Sequence, residues 1–297
     1  MVGRSKVGWQ TRPVADDRGR PALHQLITRL RAAGCVFAEE EAAQLLARFS
    51  AGPEREHAVR RREQGTPLEH VLGCAVFAGI RVAVDTAVFV PRRRAEPLVD
   101  LCLAAARSLP AVRVVDLGCG SGAIAAAVSA GLRRGVVAAV DHDPVAVACA
   151  RRNGAEHGFE VYTGDWFDGL PASYQGRVDI AVAYLPHVPA ALVDRLPADY
   201  RTAEPLATVY GGADGLDPLR AVLHQARRWL RADGVVVTMS AAGQEVGVRA
   251  VAAERGWHVR TRGGADEEDP HDMDDMDDMD DMDDMDDVFY VLSLAAP

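Results

Sequence analysis

Three acids and a run of alternating glycines are the residues here whose types and spacing suit chemistry. Val114 to Gly122 reads Val-Val-Asp-Leu-Gly-Cys-Gly-Ser-Gly, an apolar run closed by Asp116 and followed by the helix-prone Ala-Ile-Ala-Ala-Ala. This is a strand, a tight turn and a helix start, by which an α/β fold brings its backbone against a nucleotide-like ligand. Gly118, Gly120 and Gly122 each remove a Cβ that would hold the ligand away, and Cys119 and Ser121 are small residues between them. Gly118, Gly120 and Ala123 also satisfy a loose dinucleotide pattern, so the run alone does not choose a ligand.

Three further features choose it. Asp116 stands where a nicotinamide enzyme usually carries an apolar residue, and its carboxylate suits the amino group of a methionine moiety. Asp141 closes the apolar stretch Val136 to Val140, about 20 residues after the glycines, where a carboxylate grips ribose hydroxyls. Asp165-Trp166-Phe167 offers a carboxylate for an exocyclic amine and rings to cover a purine. Singly, glycine turns are common and Asp141 can simply cap the following helix. In this order they describe adenosine joined to a charged amino acid, which is S-adenosylmethionine.

The elements that must position these residues alternate. Helices are expected near 96–108, 121–132, 144–157, 217–232 and 243–255, and strands near 112–116, 136–140, 159–163, 178–183, 234–240, 257–262 and 288–294. This is an α/β pattern: a seven-stranded, mostly parallel sheet of the Rossmann-like class I methyltransferase type, spanning 96–297, with ligands at the C-terminal strand ends. Before it, Leu23, Leu26, Ile27 and Leu30 mark one helical face, Ala42, Leu45, Leu46 and Phe49 a second, and Glu54 to Arg62 a third helix. These define a small N-terminal helical domain over 21–74, whose exit is Gly65-Thr66-Pro67. Two short strands, Val76 to Val84 and Ala87 to Val90, make a β-hairpin linker over 75–95. Residues 1–20 are polar and aperiodic and are expected to be disordered.

The formal net charge of −10 misleads, because 15 of the 43 acidic residues fall between 266 and 287, and without them 28 acids face 33 basic residues. Within that segment Met273 to Met285 recur every third residue with two aspartates between each pair, a period that matches neither helix nor strand, so 265–287 reads as a disordered acidic insertion. Lys6 is the only lysine; the arginine clusters at 60–62 and 92–94 keep an anionic partner open, but nucleic acid is disfavoured. Five scattered cysteines suggest neither a zinc site nor a disulfide framework. No apolar stretch reaches the roughly 20 residues of a membrane span, and the N-terminus lacks a signal-peptide core, so a cytoplasmic protein is expected.

Beyond the cofactor motif, the chain resembles the HemK/PrmC family of protein glutamine N5-methyltransferases. The resemblance rests on Gly65-Thr66-Pro67-Leu68-Glu69-His70-Val71-Leu72-Gly73, Phe77, Phe89-Val90-Pro91-Arg92 with Glu96, Glu204-Pro205 and Gly211-Gly212-Ala213-Asp214-Gly215-Leu216. Arg93, Arg94 and Ala95 replace a usual Pro-Glu-Thr. The resemblance implies cofactor contacts at Gly118 to Gly122, Asp141 and Trp166. It also places the catalytic Asn-Pro-Pro-Tyr, whose Asn oxygen and a backbone carbonyl hold the substrate amide, where this chain has Tyr184-Leu185-Pro186-His187. Tyr184 accepts only through a phenol oxygen, Leu185 removes a proline that stiffens the loop, and His187 adds a base that titrates near neutral pH.

The expectation is therefore methyl transfer from S-adenosylmethionine to nitrogen at an altered acceptor site, with Tyr184, Pro186 and His187 catalytic. Asp116, Gly118, Cys119, Gly120, Ser121, Gly122, Asp141, Asp165, Trp166 and Tyr184 bind the cofactor. No metal is required, since the sulfonium is already activated. The acceptor is a protein, a peptide or a small molecule. A nucleic-acid amine methyltransferase and a non-catalytic cofactor-binding module are the rival readings.

Overall fold

The computed structural model describes residues 20–196, 204–262 and 287–294. The disorder expected of 1–20 and 265–287 concerns residues that lie, but for Arg20 and Asp287, outside this set.

Helices α1 (Arg20–Ala32), α2 (Ala38–Arg48) and α3 (Pro53–Glu63) follow the predicted apolar stripes. Leu26, Leu30, Ala42, Leu45 and Val59 form their shared core. Arg29 bridges Glu56 and Glu63, each at 2.8 Å, and Arg62 pairs with Glu41 at 2.6 Å, so charged residues also tie the helices together. A short helix α4 (Leu68–Leu72), not anticipated from periodicity, ends on Gly73 in the left-handed conformation. It buries His70, whose Nε2 lies 2.8 Å from the Val88 carbonyl.

The linker differs from expectation. The stretch read as one strand, Val76 to Val84, contains the bend of a two-stranded hairpin, β1 (Cys74–Phe77) and β2 (Ile80–Ala83). Ala78 (φ 47°) and Gly79 (φ 77°) occupy the left-handed region at the bend, which suits the right-handed twist of the strands. Ala87 to Val90 is no strand, because the Val88 N–H donates to the Asp85 carbonyl in a turn and Ala87 has φ 68°. Phe77, Val82, Val84 and Val90 pack into the core of the large sheet.

After α5 (Glu96–Ala106), the chain runs through β3 (Val112–Leu117), α6 (Ala123–Gly131), β4 (Gly135–Asp141), α7 (Pro144–His157), β5 (Glu160–Thr163) and β6 (Val178–Ala183). It closes with α8 (Asp217–Trp229), β7 (Leu230–Ala241), α9 (Glu245–Glu254), β8 (Trp257–Arg262) and β9 (Asp287–Leu294). The sheet order is β5-β4-β3-β6-β7-β9-β8, with only β9 antiparallel to its neighbours. All six residues of β6 are buried, as an apolar strand covered on both faces requires. Strand β7 starts four residues before its expected 234, because Leu230 already pairs with Val178 ahead of a register shift. From β3 the chain winds outward through β4 to β5, then returns to lay β6 on the other side of β3. The crevice at this reversal is where an open α/β sheet binds ligands.

Asp287 belongs to β9, opposite Ala241, and its carboxylate accepts from Arg94 Nε at 2.8 Å. The acidic insertion therefore ends one residue earlier than predicted. Replacing 265–286 by a Gly-Asn turn, with Asp287 kept, should leave the melting temperature unchanged within about 2 °C or raise it, since loop-closure entropy varies slowly with length. Calorimetry checks this; a fall of many degrees would show that the segment packs.

Candidate active site

The turn after β3 is built from left-handed backbone. Gly118, Gly120 and Gly122 have φ of 66°, 54° and 76°, which strain any residue with a side chain. The amides of Gly118 and Cys119 donate to the Val140 carbonyl at 2.9 and 3.0 Å, hanging the turn on β4. The three glycines do different work. No atom lies within 4 Å of where a Gly120 Cβ would stand, so its backbone is open to a ligand. A Cβ on Gly118 would stand 3.2 Å from the Trp166 ring. A Cβ on Gly122 would stand 2.8 Å from the Phe159 ring, so packing also requires glycine here.

Asp141, at the end of β4, accepts the Gly120 N–H at 2.8 Å with one carboxylate oxygen and the Asp143 N–H at 2.9 Å with the other. Burial raises its pKa, and these two N–H groups oppose the shift. Asp116 is buried, and its carboxylate accepts the Ala125 N–H at 3.0 Å in the first turn of α6. Burial pushes its pKa up to about 7; the Ala125 N–H opposes this and the nearby Asp141 charge adds to it.

A cavity of about 1090 Å³ opens over this turn. Of the predicted cofactor residues, Asp116, Gly118, Cys119, Gly120, Ser121, Asp141, Trp166 and Tyr184 line it. Gly122 and Asp165 are not among its lining residues. Asp165 is exposed, because Trp166 adopts φ 52° and the chain there turns its ring, not the preceding carboxylate, onto the glycine turn. The remaining lining fits S-adenosylmethionine: open glycine backbone, two carboxylates and an aromatic ring lie within one cavity.

The loop after β6 also lines the cavity. Tyr184 meets Phe89 edge to face at 5.8 Å and His187 at 5.9 Å between ring centroids. Leu185 is buried in the core beneath the loop. The stiffness expected from a second proline is supplied otherwise: Val188 N–H donates to Val209 O, Gly211 N–H to Val188 O and Ala190 N–H to Gly212 O, each at 2.9 Å. Gln244 Nε2 donates to the His187 carbonyl at 2.8 Å, and His187 Nδ1 lies 2.8 Å from the Leu185 carbonyl. Burial lowers the His187 pKa; the hydrogen bond to Leu185 opposes this, the Arg94 charge adds to it and the Asp287 charge opposes it.

Several lining residues had no sequence signal, among them Leu192, Arg195 and Gln244, while Phe89 and Arg94 stood in a segment noted only for its resemblance. Arg92 is held by Glu204, both of whose oxygens lie 3.0 Å from its Nη2, while Glu204 also accepts the Val90 N–H at 2.8 Å. Both partners stood in segments noted for their resemblance, but nothing local joins them across the chain.

The sheet order, the glycine turn at its reversal and the cavity above define the class I methyltransferase fold. Residues 84–187 match the family model described as "Methyltransferase small domain". A curated release factor glutamine methyltransferase of Gloeobacter violaceus is 38% identical over 189 residues, which cover 62% of this chain and 65% of the relative. That of Geobacter sulfurreducens is 35% identical and covered over 64% of its length, so these matches span just under two thirds of those relatives. The Moorella thermoacetica enzyme of the same name is 32% identical over 266 residues, covering 81% of this chain and 93% of its own. The chain belongs to the release factor glutamine methyltransferase (HemK/PrmC) family. The hMettl16 catalytic domain, solved with a MAT2A 3'UTR hairpin, shares the fold alone, at a TM-score of 0.51 and 12% identity over 86% of this chain and 82% of that one. Among the described residues, no helix is long and apolar enough to cross a membrane.

Proposed function

We propose that this protein transfers a methyl group from S-adenosylmethionine to a nitrogen atom of a protein side chain, with a release factor as the first acceptor to test. The observation that carries the reading is the convergence of Asp116, the glycine turn, Asp141 and Trp166 in one cavity that the loop Tyr184 to Val188 also lines. The cosubstrate supplies a methyl carbon already activated by a sulfonium. The protein's part is to hold and orient. Asp141 meets the ribose hydroxyls, Trp166 covers the purine, Asp116 faces the methionine amino group, and Tyr184 and Pro186 shape the acceptor side. Orientation carries most of the acceleration when the nucleophile is weak. We place the reaction in the cytoplasm, where donor and protein acceptor coexist.

The test follows from Asp116. Its carboxyl titrates near pH 7 in the free protein, held up by burial, and must be ionised to pair with an ammonium. Below that pH the cosubstrate must displace a proton, so affinity should rise by up to about tenfold per pH unit as pH climbs toward 7 and level off above it. In the unliganded protein the sign is opposite: the contribution of Asp116 to stability is full below its ordinary range and is lost as pH rises through about 7. Calorimetric titration with S-adenosylmethionine between pH 5.5 and 8.5 reads this directly. An affinity independent of pH would remove Asp116 from the binding site, and no binding at any pH would refute the methyltransferase reading.

A further inference from the structure

The acceptor wall holds one base whose state is fixed by its surroundings. His187 Nδ1 lies 2.8 Å from the Leu185 carbonyl, and a carbonyl only accepts, so the proton of the neutral imidazole sits on Nδ1. Nε2 is then the unprotonated nitrogen, and it makes no hydrogen bond to any described residue. The residue is held at both ends. Gln244 Nε2 donates 2.8 Å to its carbonyl and 3.2 Å to that of Asp214. On the other side, a Cβ on Gly215 would stand 2.3 Å from the same His187 carbonyl oxygen, so only glycine lets the two loops approach this closely. The Tyr184 ring stands 5.9 Å from the imidazole, and Tyr184 and His187 both line the cavity. Among the described residues, the charged groups that act on the ring are Arg94, from the turn before α5, and Asp287, from β9, which are paired with each other. Their effects on the ring oppose each other, and burial disfavours the imidazolium.

We propose that His187 Nε2 is the proton acceptor of the transfer. This rests on the methyltransferase reading above. The lone pair of the acceptor nitrogen forms the new N–C bond, the S–C bond breaks with its electron pair remaining on sulfur, and the proton that the nitrogen sheds passes to Nε2, giving an imidazolium that returns it to solvent. A wall that removes a proton does not have to grip two N–H groups at once. It accepts any nitrogen with one N–H to lose, a broader class than a primary carboxamide.

Two measurements test this on the full-length protein. The first is the ¹⁵N spectrum of the His187 imidazole in the complex with S-adenosylhomocysteine at pH 7.5, assigned by its loss in His187→Asn. A protonated Nδ1 with a bare Nε2 is expected; the opposite tautomer, or an imidazolium, would overturn the proposal. The second is transfer of a labelled methyl group to purified release factor. His187→Asn, whose amide can still donate to the Leu185 carbonyl, should lower kcat by about 10²-fold with cosubstrate affinity and KM near wild type, and should lose the acid limb of the kcat profile measured at saturating S-adenosylmethionine, where the titration of Asp116 no longer contributes. Added imidazole should restore part of the rate in His187→Ala. An Asn variant with the wild-type rate and profile would show that the imidazole only braces the loop. Failure of the wild type to bind S-adenosylmethionine would refute the methyltransferase reading itself. A wild type that binds it but leaves release factor unmethylated would exclude only that acceptor, and the tautomer would still decide the role of His187.

Discussion

Asp141→Ala is expected to weaken S-adenosylmethionine by at least an order of magnitude. Two losses combine. A ribose hydroxyl pair facing an alanine forfeits charge-assisted hydrogen bonds worth roughly 1.5–3 kcal/mol each. The same carboxylate also receives the Gly120 and Asp143 N–H groups, so the turn that meets the ligand loses the anchor joining it to the start of α7. Asp141→Asn separates the two, since its amide keeps an oxygen for one N–H while removing the charge; its affinity should fall between wild type and alanine. Calorimetry, with a melt to confirm folding, makes the comparison. Unchanged affinity in folded Asp141→Ala would overturn the assignment of this wall to the cosubstrate, as would tighter binding of a nicotinamide dinucleotide.

The largest effect on stability is expected from Glu204→Ala. The Glu204 side chain is fully buried (0% exposed) and that of Arg92 is 21% exposed, so removing the carboxylate strips a largely buried guanidinium of this partner and leaves the Val90 N–H without its acceptor. Breaking a buried pair from one side costs about 3–5 kcal/mol, which for a chain of this size corresponds to a fall in melting temperature on the order of 10 °C. Replacing both residues, Arg92→Met with Glu204→Leu, should recover much of the loss, because the desolvation of both charges disappears with them. Thermal melts of the single and double variants decide the matter. A single variant that melts with the wild type would show that the pair contributes nothing net.

The parts of this architecture that could be read from the chain are those whose cause is local. The seven strands of the main sheet and the helices between them were legible, the central strands from runs such as Val178 to Ala183, because burial on both faces demands unbroken apolar sequence. The glycine turn was equally legible, since three positive φ angles in alternation admit little else. The linker was misread for an equally local reason: Val76 to Val84 is apolar enough for one strand, and the bend falls on an Ala-Gly pair whose alanine adopts φ 47° against its ordinary preference. Helix α4 escaped notice because five residues are too few to show a period. Asp165 was placed at the purine by proximity in sequence, whereas the backbone at Trp166 takes the ring inward and leaves Asp165 exposed.

What needed three dimensions were the contacts between residues far apart in the chain. Arg94 and Asp287 are separated by 193 positions and Arg92 and Glu204 by 112, and no periodicity carries information over such lengths. The third glycine is another case: its spacing reads as ligand contact, and only the fold shows that Phe159 also fills the space beside it. Residue type, with the position that the resemblance gives it, marked His187 as a possible base. Only the approach of Leu185, Gln244 and Gly215 sets which of its nitrogens holds the proton and keeps the ring in place, because a tautomer is chosen by the neighbour that hydrogen-bonds it.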